Sequence, residues 1–146
     1  AQLSSGARQL MKNSWTLQLT GRTIEAIEEW EACPCIIKIS GNYRLQIESL
    51  WRLLSSDTLI LTSHDDGQFF GHKEPVEAIP QLRKKLLGRS ITSVQIGRGT
   101  GDLILHFKKL TFQAISSSSG YEAWQVEGPA GMLAVGQGDG NVAVWD

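Results

Sequence analysis

The residues Leu19-Thr20-Gly21-Arg22-Thr23-Ile24-Glu25-Ala26-Ile27 return 67 positions later as Leu86-Leu87-Gly88-Arg89-Ser90-Ile91-Thr92-Ser93-Val94. The likeness runs on in order. Ile37 and Ile39 of the first stretch are matched by Leu103, Leu105 and Phe107, and Tyr43-Arg44-Leu45-Gln46-Ile47 by Leu110-Thr111-Phe112-Gln113-Ala114. Leu50-Trp51-Arg52-Leu53 then matches Ala123-Trp124-Gln125-Val126, Leu59-Ile60 matches Met132-Leu133, and Asp66-Gly67 matches Asp139-Gly140. The spacing grows from 67 to 73 between Ala114 and Trp124, where the run Ser116-Ser117-Ser118-Ser119-Gly120 supplies an inserted loop. Turn residues recur in any β-rich chain, but a shared start, a lone Trp and a shared Asp-Gly in one order argue for an internal duplication. Two units, about 15–73 and 86–146, are too few for a solenoid and imply a pseudo-twofold domain.

Within each unit apolar residues alternate, which is the strand period. Trp15, Leu17 and Leu19 alternate in this way before the first unit's Gly-Arg start. Gly41-Asn42, Asp66-Gly67 and Asp139-Gly140 read as hairpin turns, because Gly, Asn and Asp reach positive φ with little strain. The period changes once: Val76, Ile79, Leu82 and Leu86 are spaced by three and four, with Pro80 in the first turn and Gly88 past the end. Arg83, Lys84 and Lys85 occupy the last turn, where the helix dipole favours cations. The expected fold is therefore α+β and mainly antiparallel β, with two related β-rich units joined by one amphipathic helix over about 76–87.

The 146 residues suit a single domain, and a chain of this size buries enough surface to need no metal or disulfide. Because the chain opens on Ala1 and Met11 is a plausible start, residues 1–10 read as a leader or an expression remnant and 11–146 as the domain. With 41% hydrophobic and 20% charged residues, wholesale disorder is excluded. The net charge of −1 argues against non-specific nucleic-acid binding. No apolar run is long enough to span a membrane and no secretion signal is apparent, so a cytoplasmic location is expected. Cys33 and Cys35, separated only by Pro34, would close a strained ring and read as reduced thiols.

Three histidines are present. His64, Asp66 and His72 could form a metal or acid–base cluster, but the second unit keeps its Asp-Gly without any histidine, which favours a solvated turn. His106, opposite Leu105 and Phe107, reads as a surface residue. Gly97-Arg98-Gly99-Thr100-Gly101 lies between two strands and reads as a hairpin loop rather than a phosphate cradle. No catalytic motif stands out, and no catalytic residue, metal or cofactor is expected. Trp51 and Trp124, which recur, read as core, and Trp145 as the close of the last strand. Charge is uneven. Glu25, Glu28, Glu29 and Glu31 crowd around Trp30, whereas Arg83, Lys84, Lys85 and Arg89 crowd the helix. A tryptophan among carboxylates reads as a protein-binding anchor facing a basic partner.

The second unit resembles a family of uncharacterised small bacterial proteins through Tyr121-Glu122-Ala123-Trp124, Gly128-Pro129-Ala130-Gly131 and Ala143-Val144-Trp145, with Gly88-Arg89-Ser90-Ile91 ahead of them. That resemblance implies a toxin-immunity protein of the contact-dependent growth inhibition type, which binds a cognate toxin. The paired architecture also resembles the Whirly-like one, which implies single-stranded nucleic-acid binding through Arg83, Lys84, Lys85, Arg89 and Arg98. A small-ligand domain centred on His64, Asp66 and His72 is the third reading.

Overall fold

The computed structural model describes residues 14–145. Its elements run α1 (Ser14–Leu19), β1 (Ile24–Trp30), β2 (Cys33–Ile39), β3 (Tyr43–Ile47), β4 (Leu50–Ser55), β5 (Thr58–Thr62) and a 3-10 turn at Ser63–Asp65. Then follow α2 (Ala78–Leu86), β6 (Ser93–Ile96), β7 (Leu103–Phe107), β8 (Leu110–Ile115), β9 (Trp124–Glu127), β10 (Leu133–Gly136) and β11 (Val142–Trp145). The strands form a six-stranded sheet, β1-β2-β3-β9-β10-β11, and a five-stranded one, β5-β4-β8-β7-β6. Every neighbouring pair is antiparallel. The α+β, mainly antiparallel reading therefore holds. Among the described residues no helix is long and apolar enough to cross a membrane.

The chain changes sheets after β3 and again after β8, so the first half gives the meander β1-β2-β3 to the six-stranded sheet and the hairpin β4-β5 to the other, whereas the second half gives β6-β7-β8 to the five-stranded sheet and β9-β10-β11 to the six-stranded one. The helices cross over as well: α1 packs on β6, and α2 on β1 and β5. Contacts between the halves come in matched pairs. Gly21 N donates to Ile91 O at 2.7 Å and Gly88 N to Ile24 O at 2.9 Å; Ile24 N donates to Arg89 O at 2.9 Å and Ile91 N to Arg22 O at 2.8 Å. A single bridge between Thr23 and Ser90 lies in their midst. In the sheets, Trp124 stands opposite Ile47 and Trp51 opposite Ala114, while Val126 faces Leu45 and Leu53 faces Phe112.

The inward residues of both sheets share one apolar interior. Trp124 lies against Trp15 with ring centroids 5.9 Å apart, and Trp51 stacks on Phe112 at 5.8 Å. Both recurring tryptophans are buried. Gly41 (φ 84°) and Asn42 (φ 67°) make the β2–β3 turn with two successive left-handed residues, the conformation a tight twisted hairpin needs.

Three expectations are corrected. Trp15, Leu17 and Leu19 belong to a helix: Trp15 and Leu19, four apart, are buried, and Leu17 between them is exposed. A stretch this short fits both periods, and packing on β6 decides it. Among the described residues there are consequently two helices, one ahead of each meander: α2, the joining helix expected over about 76–87, and α1, which was not expected. Asp66-Gly67 is not a strand-to-strand hairpin. It follows the 3-10 turn, with Gly67 N donating to Val76 O at 2.8 Å and Asp66 Oδ1 accepting from Ala78 N at 2.9 Å. The aspartate is spent on capping α2. Asp139-Gly140, by contrast, does lie in the β10–β11 hairpin.

Candidate partner-docking face

On the six-stranded sheet, residues alternating with the core positions face outward. In register across the strands these are Glu28 and Trp30, Ile36 and Lys38, Arg44 and Gln46, Gln125 and Glu127, Leu133 and Val135, and Ala143 and Trp145. Lys38 Nζ lies 3.1 Å from Glu28 Oε1, and Trp30 Nε1 donates to Glu28 Oε2 at 3.0 Å. These bonds, Trp30's first and Lys38's second, hold the Glu28 carboxyl below its ordinary range. The Arg44 guanidinium sits over the Trp30 ring, 5.2 Å from its centroid, and also pairs with Glu127. Gln125 Nε2 donates to Glu127 Oε1 at 3.1 Å.

This lattice covers an apolar floor. Ile36 points away from the interior yet is 0% exposed, and Val135 is 5% exposed. Long side chains lay their stems over them and keep the charges in water. At the two ends of the face, Trp30 is 41% and Trp145 53% exposed. The face is thus an ordered charged layer flanked by two open indoles.

The expected partner-binding residues separate here. Glu28 and Trp30 lie in the lattice. Glu25, next to the bulge in β1, borders a groove of about 320 Å³ shared with Lys38, Tyr43, Arg44 and Glu127. Glu29 turns toward Pro34, Trp51 and α2, and Glu31 lies in the β1–β2 turn. Glu25, Glu29 and Glu31 are exposed and form no ion pair among the described residues. The lattice partners Lys38, Arg44, Gln125 and Glu127 had no mark in the sequence, because β3 meets β9 across 83 residues.

Although β1 is an edge strand, the Ile24 and Ile27 part of its backbone edge is already occupied. Arg83 Nε donates to Ile27 O at 2.6 Å, and Gly88 N and Arg89 O bond to Ile24.

The other candidates fare differently. Asp65 Oδ2 accepts from Thr62 N at 2.9 Å and Asp66 caps α2, so both carboxylates beside His64 and His72 are engaged with backbone. Among the described residues no group of three His, Cys, Asp or Glu could hold a metal. His106 Nε2 lies 2.6 Å from Gln95 Oε1 on the outward face of the five-stranded sheet. The basic residues do not share a face: Arg83, Lys84, Lys85 and Arg89 lie with α2 beside β1, whereas Arg98 lies near β11 at the opposite edge of the six-stranded sheet.

Cys33 and Cys35 are free and buried. Burial chiefly, then Cys33 and Glu29, push the Cys35 thiol well above its usual value. At pH 8, a disulfide-exchange reagent is therefore expected to leave both thiols unmodified in the native protein and to titrate both in guanidinium. Rapid native-state reaction of Cys35 would contradict this. Because folding favours the protonated thiol, its contribution to stability is complete below the unfolded thiol's value of about 8.5 and is lost as the pH rises beyond it.

A family model described as a family of unknown function, DUF6188, matches residues 15–146. The chain belongs to this family. The DUF6188 match takes in all the described strands of both sheets rather than either half alone. No curated protein and no solved structure matches the chain.

Proposed function

We propose that this chain is a non-catalytic binding protein that docks a basic protein partner on the β1 side of its six-stranded sheet. The observation that carries the proposal is the surplus of three unpaired carboxylates, Glu25, Glu29 and Glu31, around a half-exposed Trp30. The neighbouring charges neutralise one another: Glu28 pairs with Lys38 and Glu127 with Arg44. Three carboxylates without ion pairs therefore stand around the aromatic anchor, while Arg83, Lys84 and Lys85 of α2, with Arg89 after it, lie along the other side of β1, an arrangement in which the carboxylates meet a cationic surface and the indole is buried. Arg44 over Trp30 restrains the ring before contact, which lowers the entropy lost on binding.

The partner we infer is a cognate toxin domain, neutralised stoichiometrically in the cytoplasm, as the resemblance of the second unit implies. The test is copurification with the product of an adjacent gene, followed by the triple substitution Glu25→Lys, Glu29→Lys and Glu31→Lys. The association rate is expected to fall by about 10- to 1000-fold at low salt, with the melting temperature little changed. Full toxin activity in a stoichiometric excess of this protein would overturn the reading.

We infer too that the two halves descend from one segment. Hydrogen bonds across the Thr23–Ser90 bridge that repeat at a shift of 67 support this, as do the reciprocal Trp124–Ile47 and Trp51–Ala114 registers. A crystal structure in which no single rotation superposes α1–β5 on α2–β10 would count against it.

A further inference from the structure

Among the described residues, the interior is open where β6 and β11, one edge strand of each sheet, come together. A slot of about 390 Å³ lies there, within the size range of small-molecule sites, with Val94, Ile96, Val142 and Val144 among its walls. These four pack on the core but remain only partly buried, whereas Ile27 of β1, the counterpart of Val94, is sealed under α2. Uncovered aliphatic wall of this kind gains from any apolar chain that displaces its water.

The mouth of the slot is cationic. Arg98 is exposed and forms no ion pair or hydrogen bond, and the Arg98, Gly99 and Thr100 amides donate to nothing within the described chain. The nearest carboxylate on the opposing loop, Asp139, is turned onto Asn141, accepting from its N at 3.1 Å and its Nδ2 at 3.0 Å. The two loops of the mouth meet backbone to backbone: a Cβ on Gly101 would lie 3.3 Å from Gly140, so their spacing is fixed by glycine. A slot with one aliphatic wall, an otherwise polar lining and an unpaired guanidinium with free amides at its entrance matches a singly charged amphiphile, since a dianion would bring charge that no second cation offsets.

We propose that the slot between β6 and β11 binds an amphipathic carboxylate. Its unbranched tail lies between Val94, Ile96, Val142 and Val144, and its head lies on Arg98. The site is at the sheet edge opposite Trp30 and does not depend on the docking face.

The test is titration of the full-length protein with hexanoate, octanoate and decanoate, followed by amide and methyl NMR shifts. The shifts are expected to centre on Val94, Ile96, Val142 and Val144, with affinity rising about three- to fourfold for each added methylene until the slot is full. Arg98→Gln should weaken octanoate about tenfold and leave 1-octanol unchanged. Val142→Trp should abolish binding of both, with circular dichroism and the melting transition confirming that each variant folds. Shifts elsewhere, no shifts, equal loss of acid and alcohol on Arg98→Gln, or binding that appears only after residues 1–13 are removed would each overturn the proposal.

Discussion

Trp124→Ala is expected to cost about 3–5 kcal/mol in urea unfolding, a large share of the roughly 5–15 kcal/mol that holds a domain of this kind together. Three observations set that magnitude. The indole is 2% exposed and fills the space against Trp15, so its removal leaves a cavity walled by β3, β10 and α1. Gly136 sits under the ring so closely that a side chain there would overlap it, which means the surroundings were shaped around this one residue and collapse poorly. Trp124 Nε1 also donates to Gly101 O at 2.9 Å, tying β9 to the β6–β7 loop. Trp124→Phe separates these terms. It keeps most of the apolar contact but leaves a buried carbonyl without its donor, so about 1–3 kcal/mol should be lost. Trp51→Phe is the control, since Trp51 occupies the matching register without a side-chain hydrogen bond. A cost for Trp51→Phe equal to or above that of Trp124→Phe would show that the Gly101 bond contributes little.

The control is informative because so much of the pairing was legible before any coordinates. The alternating apolar runs and the turn residues located most strands, since period and turn chemistry are local properties. Gly41-Asn42 carried its own conformation. Residues whose role depends on distant partners were not legible. Ile36 reads as a surface position by alternation, yet it is buried between Glu28 of β1 and Gln46 of β3, in a layer that the β3–β9 pairing extends through Arg44 and Glu127. Glu28 and Glu29 are neighbours in sequence and looked alike; β-pairing gives one to Lys38 and turns the other toward α2. The exchange of strands between sheets had no local mark either, since it is made by the crossings after Ile47 and Ile115. The acidic segment was visible as composition, and its division into paired and unpaired carboxylates became visible only with the sheet.

The two Asp-Gly turns offer the second large effect. Gly67 and Gly140 each follow an aspartate, and both adopt left-handed backbone, with φ of 79° and 85°. A methyl at Gly67 would meet nothing within 4 Å, whereas one at Gly140 would overlap the Gly99 carbonyl. Gly67→Ala should therefore cost only the left-handed conformation, about 1–2 kcal/mol. Gly140→Ala carries that cost and a steric one as well, and is expected to lose about 2–5 kcal/mol in all. The atom in the way is backbone, so relief requires the 97–101 and 137–141 loops to part. Parting them moves Gly101, the acceptor of Trp124, so the Trp124 indole N–H resonance should shift in Gly140→Ala and stay in place in Gly67→Ala. Equal destabilisation by the two substitutions, with that resonance unmoved in both, would mean that the glycine contact between the loops places no constraint on the core.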